Sequence, residues 1–166
     1  MMSDVFPLIL ILSILFCSLV TGLVFGFAVV VMPGIAKLPD REFLLSFQKM
    51  DGIIQDNQPL FMLVWVGSII AIVTAIILGI ENLDSDQNNI LWLGSGLYLL
   101  GVQLPTAVFN IPLNNKLHHM DLMTSEESEI ATFRLHFETK WNRWNRIRTF
   151  NAIVSVTILL FLLTKL

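Results

Sequence analysis

Four long apolar runs, separated by polar connectors, decide what this chain can fold into. A helix needs about 20 residues to cross the hydrocarbon core of a bilayer. Three runs reach that length outright, at residues 7–32, 60–80 and 90–109. The fourth, Phe150 to Leu163, is short by itself and becomes a span over residues 147–166 only if its helix begins in the polar segment before it. The first run is much longer than the roughly 7–15 residues of a secretory signal core, and no basic region precedes it, so it is expected to be a retained span.

Composition points the same way. Hydrophobic residues make up 55% of the 166 and charged residues only 14%, well under the roughly 25% charged of soluble domains. No composition break divides the chain, so a single domain over residues 1–166 is expected. The expected fold is an all-α integral membrane protein, an up-and-down four-helix transmembrane bundle. The net charge of −3, without a broad basic face, gives no footprint for nucleic acid. Cys17 stands alone in an apolar run, which leaves no disulfide and no CxxC motif.

The basic residues set the orientation. The connector between the first two spans carries Lys37, Arg41 and Lys49. The connector between the third and fourth carries Lys116, Arg134, Lys140, Arg143 and Arg146, with Arg148 at the membrane edge. The opposite side has only Lys165 and the acidic connector ENLDSDQNN. Lys and Arg accumulate on the cytoplasmic side, so both long connectors are expected in the cytoplasm of a bacterial cell and both termini outside its cytoplasmic membrane.

Both connectors carry helix signals. Asp40 is placed to cap a helix over about 40–55, with Glu42 in its first turn and Phe43, Phe47, Met50 and Ile54 at helical spacing. This amphipathic helix suits either a surface position, at the headgroups or against the bundle, or a lid over a site. Pro59 suits the first turn of the second span. In the third span Pro105 is expected to kink or end the helix near Leu104. Gly22 and Gly26 form a GxxxG in the first span, and Gly94, Gly96 and Gly101 lie in the third; both sets read as helix-packing positions. Before the fourth span, Thr124 and Glu127 in TSEE read as a capping box. From Ser125 to Leu166 there is neither Gly nor Pro, so one long helix is expected, with an extension over about 125–146 standing outside the membrane.

The stretch KWNRWNRIRTFN, residues 140–151, sits where that extension meets the fourth span. At about 100° per residue, Ile130, Phe137, Trp141, Trp144, Arg148, Ala152 and Ser155 share one face, with Asn145 and Asn151 at its margins. Arg143 and Arg146 point the other way, toward lipid phosphates or water. Arg148 points inward, where a guanidinium is costly unless paired. No apolar run contains an acid, so loop carbonyls, the amides of Asn110 or Asn114, or a bound anion are its expected partners. Trp141 fits an interfacial aromatic belt or an inner wall.

The pair of motifs NIPLNN after the third span and WNRWNRIRT at the fourth resembles the anthrone oxygenase family of small four-span membrane proteins. The end of the first span, TGLVFGFAVVVMPGIAKLP, is similar to that family too. The chain departs from the family pattern at Arg146, where histidine is common after W-N, and at Asn57-Gln58-Pro59, where a tighter Asn-Pro is common. The resemblance implies oxidation by O₂ of an activated methylene in a flat polycyclic phenol, with no metal or flavin cofactor. It further implies that Arg148 and Asn145 hold an oxyanion, that Asn110 and Asn114 position it, and that Trp144 and Trp141 contact the rings. The base stays open among His118, His119 and His136, all outside the apolar runs. The spacing of these histidines with Asp121 and Glu126 matches no strong metal motif, and no metal site is expected. The expected partners are the lipid bilayer and a hydrophobic aromatic small molecule, with room left for a homo-oligomer. The alternative is a non-catalytic scaffold, or a lipid- or small-hydrophobe-binding protein whose polar cluster only locks the loops.

The orientation yields a labelling pattern. In a Cys17→Ser background, a cysteine at Ser85 is expected to react with an impermeant thiol reagent from outside intact cells, and one at Thr124 is not. The reverse pattern would invert the orientation and leave the fold untouched.

Overall fold

The computed structural model describes residues 5–166. It is 88% helix, and no strand occurs among the described residues. Four helices are long and apolar enough to cross a membrane: α1 (Val5–Ile35), α3 (Pro59–Asn82), α4 (Ser85–His118) and α5 (Glu127–Leu163). The short amphipathic helix α2 (Asp40–Gln55) joins α1 to α3. The four long helices run up and down, with α1 packed on α3 and α5, and α4 packed on α5. Their outward faces are aliphatic, with Leu8, Leu15, Ile70, Ile77, Leu93 and Leu100 all exposed. Such faces suit contact with lipid tails.

In hydrocarbon, apolar burial does not drive helices together, and close packing of small residues with interhelical hydrogen bonds does. The bundle follows this rule. Ser155 Oγ donates to the Gly94 carbonyl at 2.7 Å, tying α5 to α4. Tyr98 donates from α4 to Ser68 Oγ on α3 at 2.7 Å. A Cβ on Gly94 would stand 3.0 Å from the Leu159 side chain, and one on Gly67 only 2.8 Å from the Phe16 ring. The GxxxG pair does not take part. A Cβ on Gly22 or Gly26 would meet nothing within 4 Å, as would one on Gly96. The packing expected of these three glycines is therefore not found among the described residues.

Two apolar cores result. One fills the bundle, with Phe6, Leu10, Ile72, Leu91, Tyr98 and Leu159 among its buried members. The other lies beyond it, where Phe43, Leu44 and Phe47 of α2 pack on Leu117 of α4 and on Ile130, Phe137 and Trp141 of α5. Of the surface positions open to α2, it takes the one against the bundle.

Pro105 neither ends nor breaks α4. The helix widens into π turns at Leu99–Gln103 and Thr106–Asn110 on either side of it, then continues through Pro112 to His118. Wider turns let the chain stay helical where a proline donates no hydrogen bond. A further π turn, Phe27–Val31, interrupts α1.

Both expected side-chain caps are absent, for one physical reason: a distant arginine takes the carboxylate. Pro39, not Asp40, holds the cap position of α2, and Asp40 accepts from Arg134 Nη1 at 2.8 Å. The Thr124–Glu127 box does not form either. Glu126 holds the cap position of α5, the Thr124 hydroxyl donates to Asp121, and Glu127 accepts from Arg41 Nη2 at 2.7 Å. A capping box that does form joins Asp84 and Gln87 at the start of α4. Pro59 does open α3, behind a Gln58 cap.

Arg134 is the rivet between α2 and α5. Beyond Asp40 it donates to the carbonyls of Leu38 and Ala36, at 2.7 and 2.8 Å, and to Glu138 at 3.1 Å. Its guanidinium lies 4.4 Å from the centre of the Phe43 ring. Arg134→Ala is expected to destabilise the fold by about 2 kcal/mol, because the two carbonyls lose their donor. Thermal unfolding in detergent measures it; an unchanged Tm would mean that the apolar contacts of α2 alone hold the helix in place.

Candidate functional site

Where the two cores meet, the helices leave a cavity of about 220 Å³. Its apolar walls are Leu23, Val24 and Phe27 of α1, Phe47 and Ile54 of α2, Phe61, Met62 and Trp65 of α3, and Ile111 of α4. Into this slot point Asp51 of α2, Thr106, Asn110 and Asn114 of α4, and Trp141 and Arg148 of α5. The volume falls below the roughly 300 Å³ at which ligand pockets usually start, so it suits at most one small molecule. Two of the π turns feed the site: Phe27 comes from the turn in α1, and Thr106 and Asn110 from the turn after Pro105.

Arg148 is 6% exposed and no carboxylate among the described residues pairs with it. Its Nε donates to Asn145 Oδ1 at 2.9 Å and its Nη1 to Thr106 Oγ1 at 3.1 Å. Its guanidinium carbon lies 5.2 Å from the centre of the Trp141 ring. These partners, a hydroxyl, an amide and an aromatic face, differ from those expected, Thr106 having been overlooked. Asn145 is itself anchored, its Nδ2 donating to the Val24 carbonyl at 3.1 Å. It stands behind Arg148 rather than in the cavity lining.

Asn110 is 1% exposed, and neither its Nδ2 nor its Oδ1 has a partner among the described residues. Buried amides are almost always bonded, so an amide without a partner at either end, beside a cavity, is a donor and an acceptor that the described fold leaves unused. Asn114 is the opposite case. Its Nδ2 donates to Asp51 Oδ1 at 2.7 Å while its Oδ1 accepts from the Trp141 indole at 2.9 Å. Trp141 is buried between Phe27 and Phe47, with ring centres 5.5 and 5.2 Å away.

Trp144 lies elsewhere. Its ring stacks on Phe109 at 3.6 Å, almost parallel at 5°, in a shallow groove between α4 and α5 with Lys116 and Lys140 at its rim. The inner-face placement of Trp144 is thus corrected: three residues after Trp141 it has turned about 60° out of line, and the Phe109 ring covers it. Asn151 donates to the Ile147 carbonyl of its own helix and stays outside the cavity. His118, His119 and His136 are all exposed. No three His, Cys, Asp or Glu side chains gather in a metal-binding cluster among the described residues.

Asp51 is a site residue that the sequence pattern did not single out. It is 6% exposed and is the one acid in the cavity lining. Burial pushes its carboxyl above the usual carboxylate range, against the hydrogen bonds donated by Gln55 and Asn114. The signal was present: Phe43, Phe47 and Asp51 fall at i, i+4 and i+8, so the acid lies in phase with the buried aromatics.

The family model described as anthrone oxygenase matches residues 61–158, more than half of the chain. The chain belongs to the anthrone oxygenase family. None of the curated proteins and none of the solved structures compared with it matches. The family segment begins at Phe61 and takes in Thr106, Asn110, Asn114, Trp141 and Arg148. The walls that α1 and α2 contribute to this anthrone oxygenase-family chain, Asp51 among them, precede it.

Asn110→Leu separates fold from site. Leucine has nearly the same shape and removes two unpaired buried atoms, so stability is expected to hold or rise; if Asn110 serves a ligand, affinity for an aromatic ketone such as anthrone falls. Tm and equilibrium binding measured on the same preparation decide it. A drop in Tm of several degrees would show that Asn110 serves the fold.

Proposed function

We propose that the chain is an oxygenase that uses O₂ to oxidise the activated methylene of an anthrone-like polycyclic phenol bound in this cavity. Family membership supports the reaction class. The place for it is supported by one observation above all: in an apolar slot, Asn110 is unpartnered at both ends and Arg148 has no carboxylate. A scaffold would gain stability by closing such groups on one another. Donors held in place in a water-poor site are worth most to a charge that develops on oxygen.

The chemistry is set by the substrate class. Loss of one methylene proton moves an electron pair through the central ring onto the ketone oxygen, where Arg148 and Asn110 meet the charge. The anion joins O₂ as a peroxide. Loss of the second methylene proton with cleavage of the O–O bond leaves a second ketone, and one water is released. The balance is CH₂ + O₂ → C=O + H₂O, with every electron drawn from the substrate, so this reading assigns no metal or flavin. Trp141, Phe27, Phe47, Phe61 and Trp65 supply flat contact area for the rings. Asn145 positions Arg148 through its Oδ1, and Asn114 positions the Trp141 indole. Trp144 takes no part, since Phe109 covers its ring. The count of basic residues supports a site at the cytoplasmic ends of the helices.

The decisive experiment is O₂ consumption by the purified protein with anthrone. Arg148→Lys is expected to lower kcat/KM roughly 10²-fold, the usual size of a lost oxyanion donor, because lysine keeps the charge but loses the planar fork. Arg143→Lys, on the exposed face, is expected to leave the rate unchanged. If Arg148→Lys lowers only Tm, with turnover per folded molecule intact, Arg148 is a structural tie. If the wild type neither binds nor oxidises anthrone, the scaffold or lipid-binding reading replaces this one.

A further inference from the structure

The proposed route from methylene to ketone starts with a proton that some group must take, and the histidines of this chain are exposed, away from the cavity lining. We propose that Asp51 is the general base of the site: its carboxylate takes the methylene proton while Arg148 and Asn110 receive the charge on the substrate oxygen. This inference rests on the oxygenase reading and deepens it.

Position comes first. Asp51 and Arg148 line one cavity from different helices without forming an ion pair among the described residues. They are connected instead through Asn114 and the Trp141 indole: Asn114 bonds both Asp51 and Trp141, and Arg148 lies over the Trp141 ring. In an anthrone the methylene and the ketone stand across the central ring from each other. A base on one wall and oxyanion donors on another match that layout, since the proton leaves one edge as the charge appears at the opposite edge.

The state of the carboxylate is the second point. Oδ1 accepts one bond from Asn114, and Oδ2 accepts one from Gln55 Nε2 at 3.1 Å. Each oxygen of a carboxylate has two acceptor sites, so both keep one free. The two amides fix its orientation without neutralising it, whereas a cation in contact would have made it a weak base. Gln55 is itself held by Asn115 Oδ1 at 3.0 Å. The groups facing Asp51 are few: the Asn114 amide and the titratable His118 from α4, the charged Arg148 across the cavity from α5, and apolar side chains of α1 and α3. An acid buried without a cation is costly to the fold, and nothing in the packing of α2 requires one. Such an expense is the mark of a functional position.

The step balances simply. The C–H bond breaks, its proton goes to a free lone pair of Asp51, and its electron pair enters the enolate held by Arg148 and Asn110. The enolate adds O₂ to give the peroxide; its remaining C–H proton leaves with the outer oxygen as hydroxide when the O–O bond breaks, and the proton held by Asp51 joins that hydroxide, giving the product water and restoring the carboxylate.

Anthrone without O₂ isolates this step, because its deprotonated form absorbs at longer wavelength than the ketone. With the full chain in detergent, the wild type is expected to ionise bound anthrone. Asp51→Asn is expected to bind it with affinity within about 3-fold yet leave it un-ionised, and to lower turnover by about 10²-fold or more when O₂ is admitted. The acid limb of the pH–rate profile, where activity falls as Asp51 protonates, should disappear with it. Should Asp51→Asn fail to fold, Gln55→Leu serves: losing a donor to the charged form raises the Asp51 pKa, and the acid limb must move to higher pH. Asp56→Asn, exposed on the same connector, is expected to change none of these. Ionisation by Asp51→Asn equal to the wild type, or an unmoved limb in Gln55→Leu, overturns the assignment while the oxygenase reading stands. A wild type that oxidises O₂-exposed anthrone but never ionises it also overturns Asp51 alone. A wild type that neither binds nor oxidises anthrone overturns both.

Discussion

Arg148 keeps its charge where little water reaches it and where no carboxylate comes to meet it. A guanidinium in that position must be held by neutral dipoles, and the surrounding architecture is arranged to supply them. Asn145 turns its Oδ1 to Arg148 because its Nδ2 is fixed by the Val24 carbonyl of α1. Thr149 donates to the same carbonyl at 3.3 Å. Thr106 turns its hydroxyl oxygen to Arg148 while its own proton goes to the Val102 carbonyl at 2.7 Å. Three helices are thereby tied at the depth of one side chain. The arrangement satisfies Nε and Nη1 and leaves no bond from Nη2 among the described residues, so the charge is supported without being neutralised.

Irregular backbone clusters at the same level. A helix in lipid must satisfy every backbone group internally, and departures from α geometry are tolerated where they lie against protein or line a cavity. The π turns of α1 and of α4 after Pro105 meet that condition, and both supply residues to the cavity wall. Pro105 therefore acts by displacement rather than by termination. The extra residue in each wide turn shifts the register of the next helical segment. Asn110, at the end of the second turn, is carried to an inner position where no protein group answers it.

Much of this was legible in the chain. Four runs of the right length and polarity are enough for the bundle, since the bilayer sets both the length and the helical state of each. The phase of α5 was also readable: Ile130, Phe137, Trp141, Arg148, Ala152 and Ser155 are all buried as their spacing implies. What stayed hidden depends on which residue reaches a neighbour first. Asp40 and Glu127 read as cap residues because capping is local, and nothing local reveals that Arg134 and Arg41 lie against them across about 90 residues of chain. Trp144 read as inward because it stands at the margin of the buried arc, where the presence of Phe109 decides the outcome. Asp51 was overlooked although Phe43 and Phe47 share its phase, because an acid on an apolar stripe is ordinarily assigned to the helix edge.

The polar groups of the cavity also restrict what can occupy it. A lipid or fatty acid would bring an anion that suits Arg148, but its chain has nothing to offer the Asn110 amide, and its charge would enter a site that already holds the Asp51 carboxyl. A neutral aromatic ketone avoids both difficulties. On the proposed reading its rings would lie against Phe27, Phe61 and Trp65, its oxygen would accept from Arg148 and Asn110, and it would carry no charge until the proton had moved. In the proposed transfer the negative charge would leave Asp51 and appear beside Arg148. The site would hold one anion before that transfer and one after it, with only the position changed, so little solvent would need to reorganise. A proton transfer of that kind is what a small, nearly dry slot between a carboxylate and a guanidinium can promote better than water can.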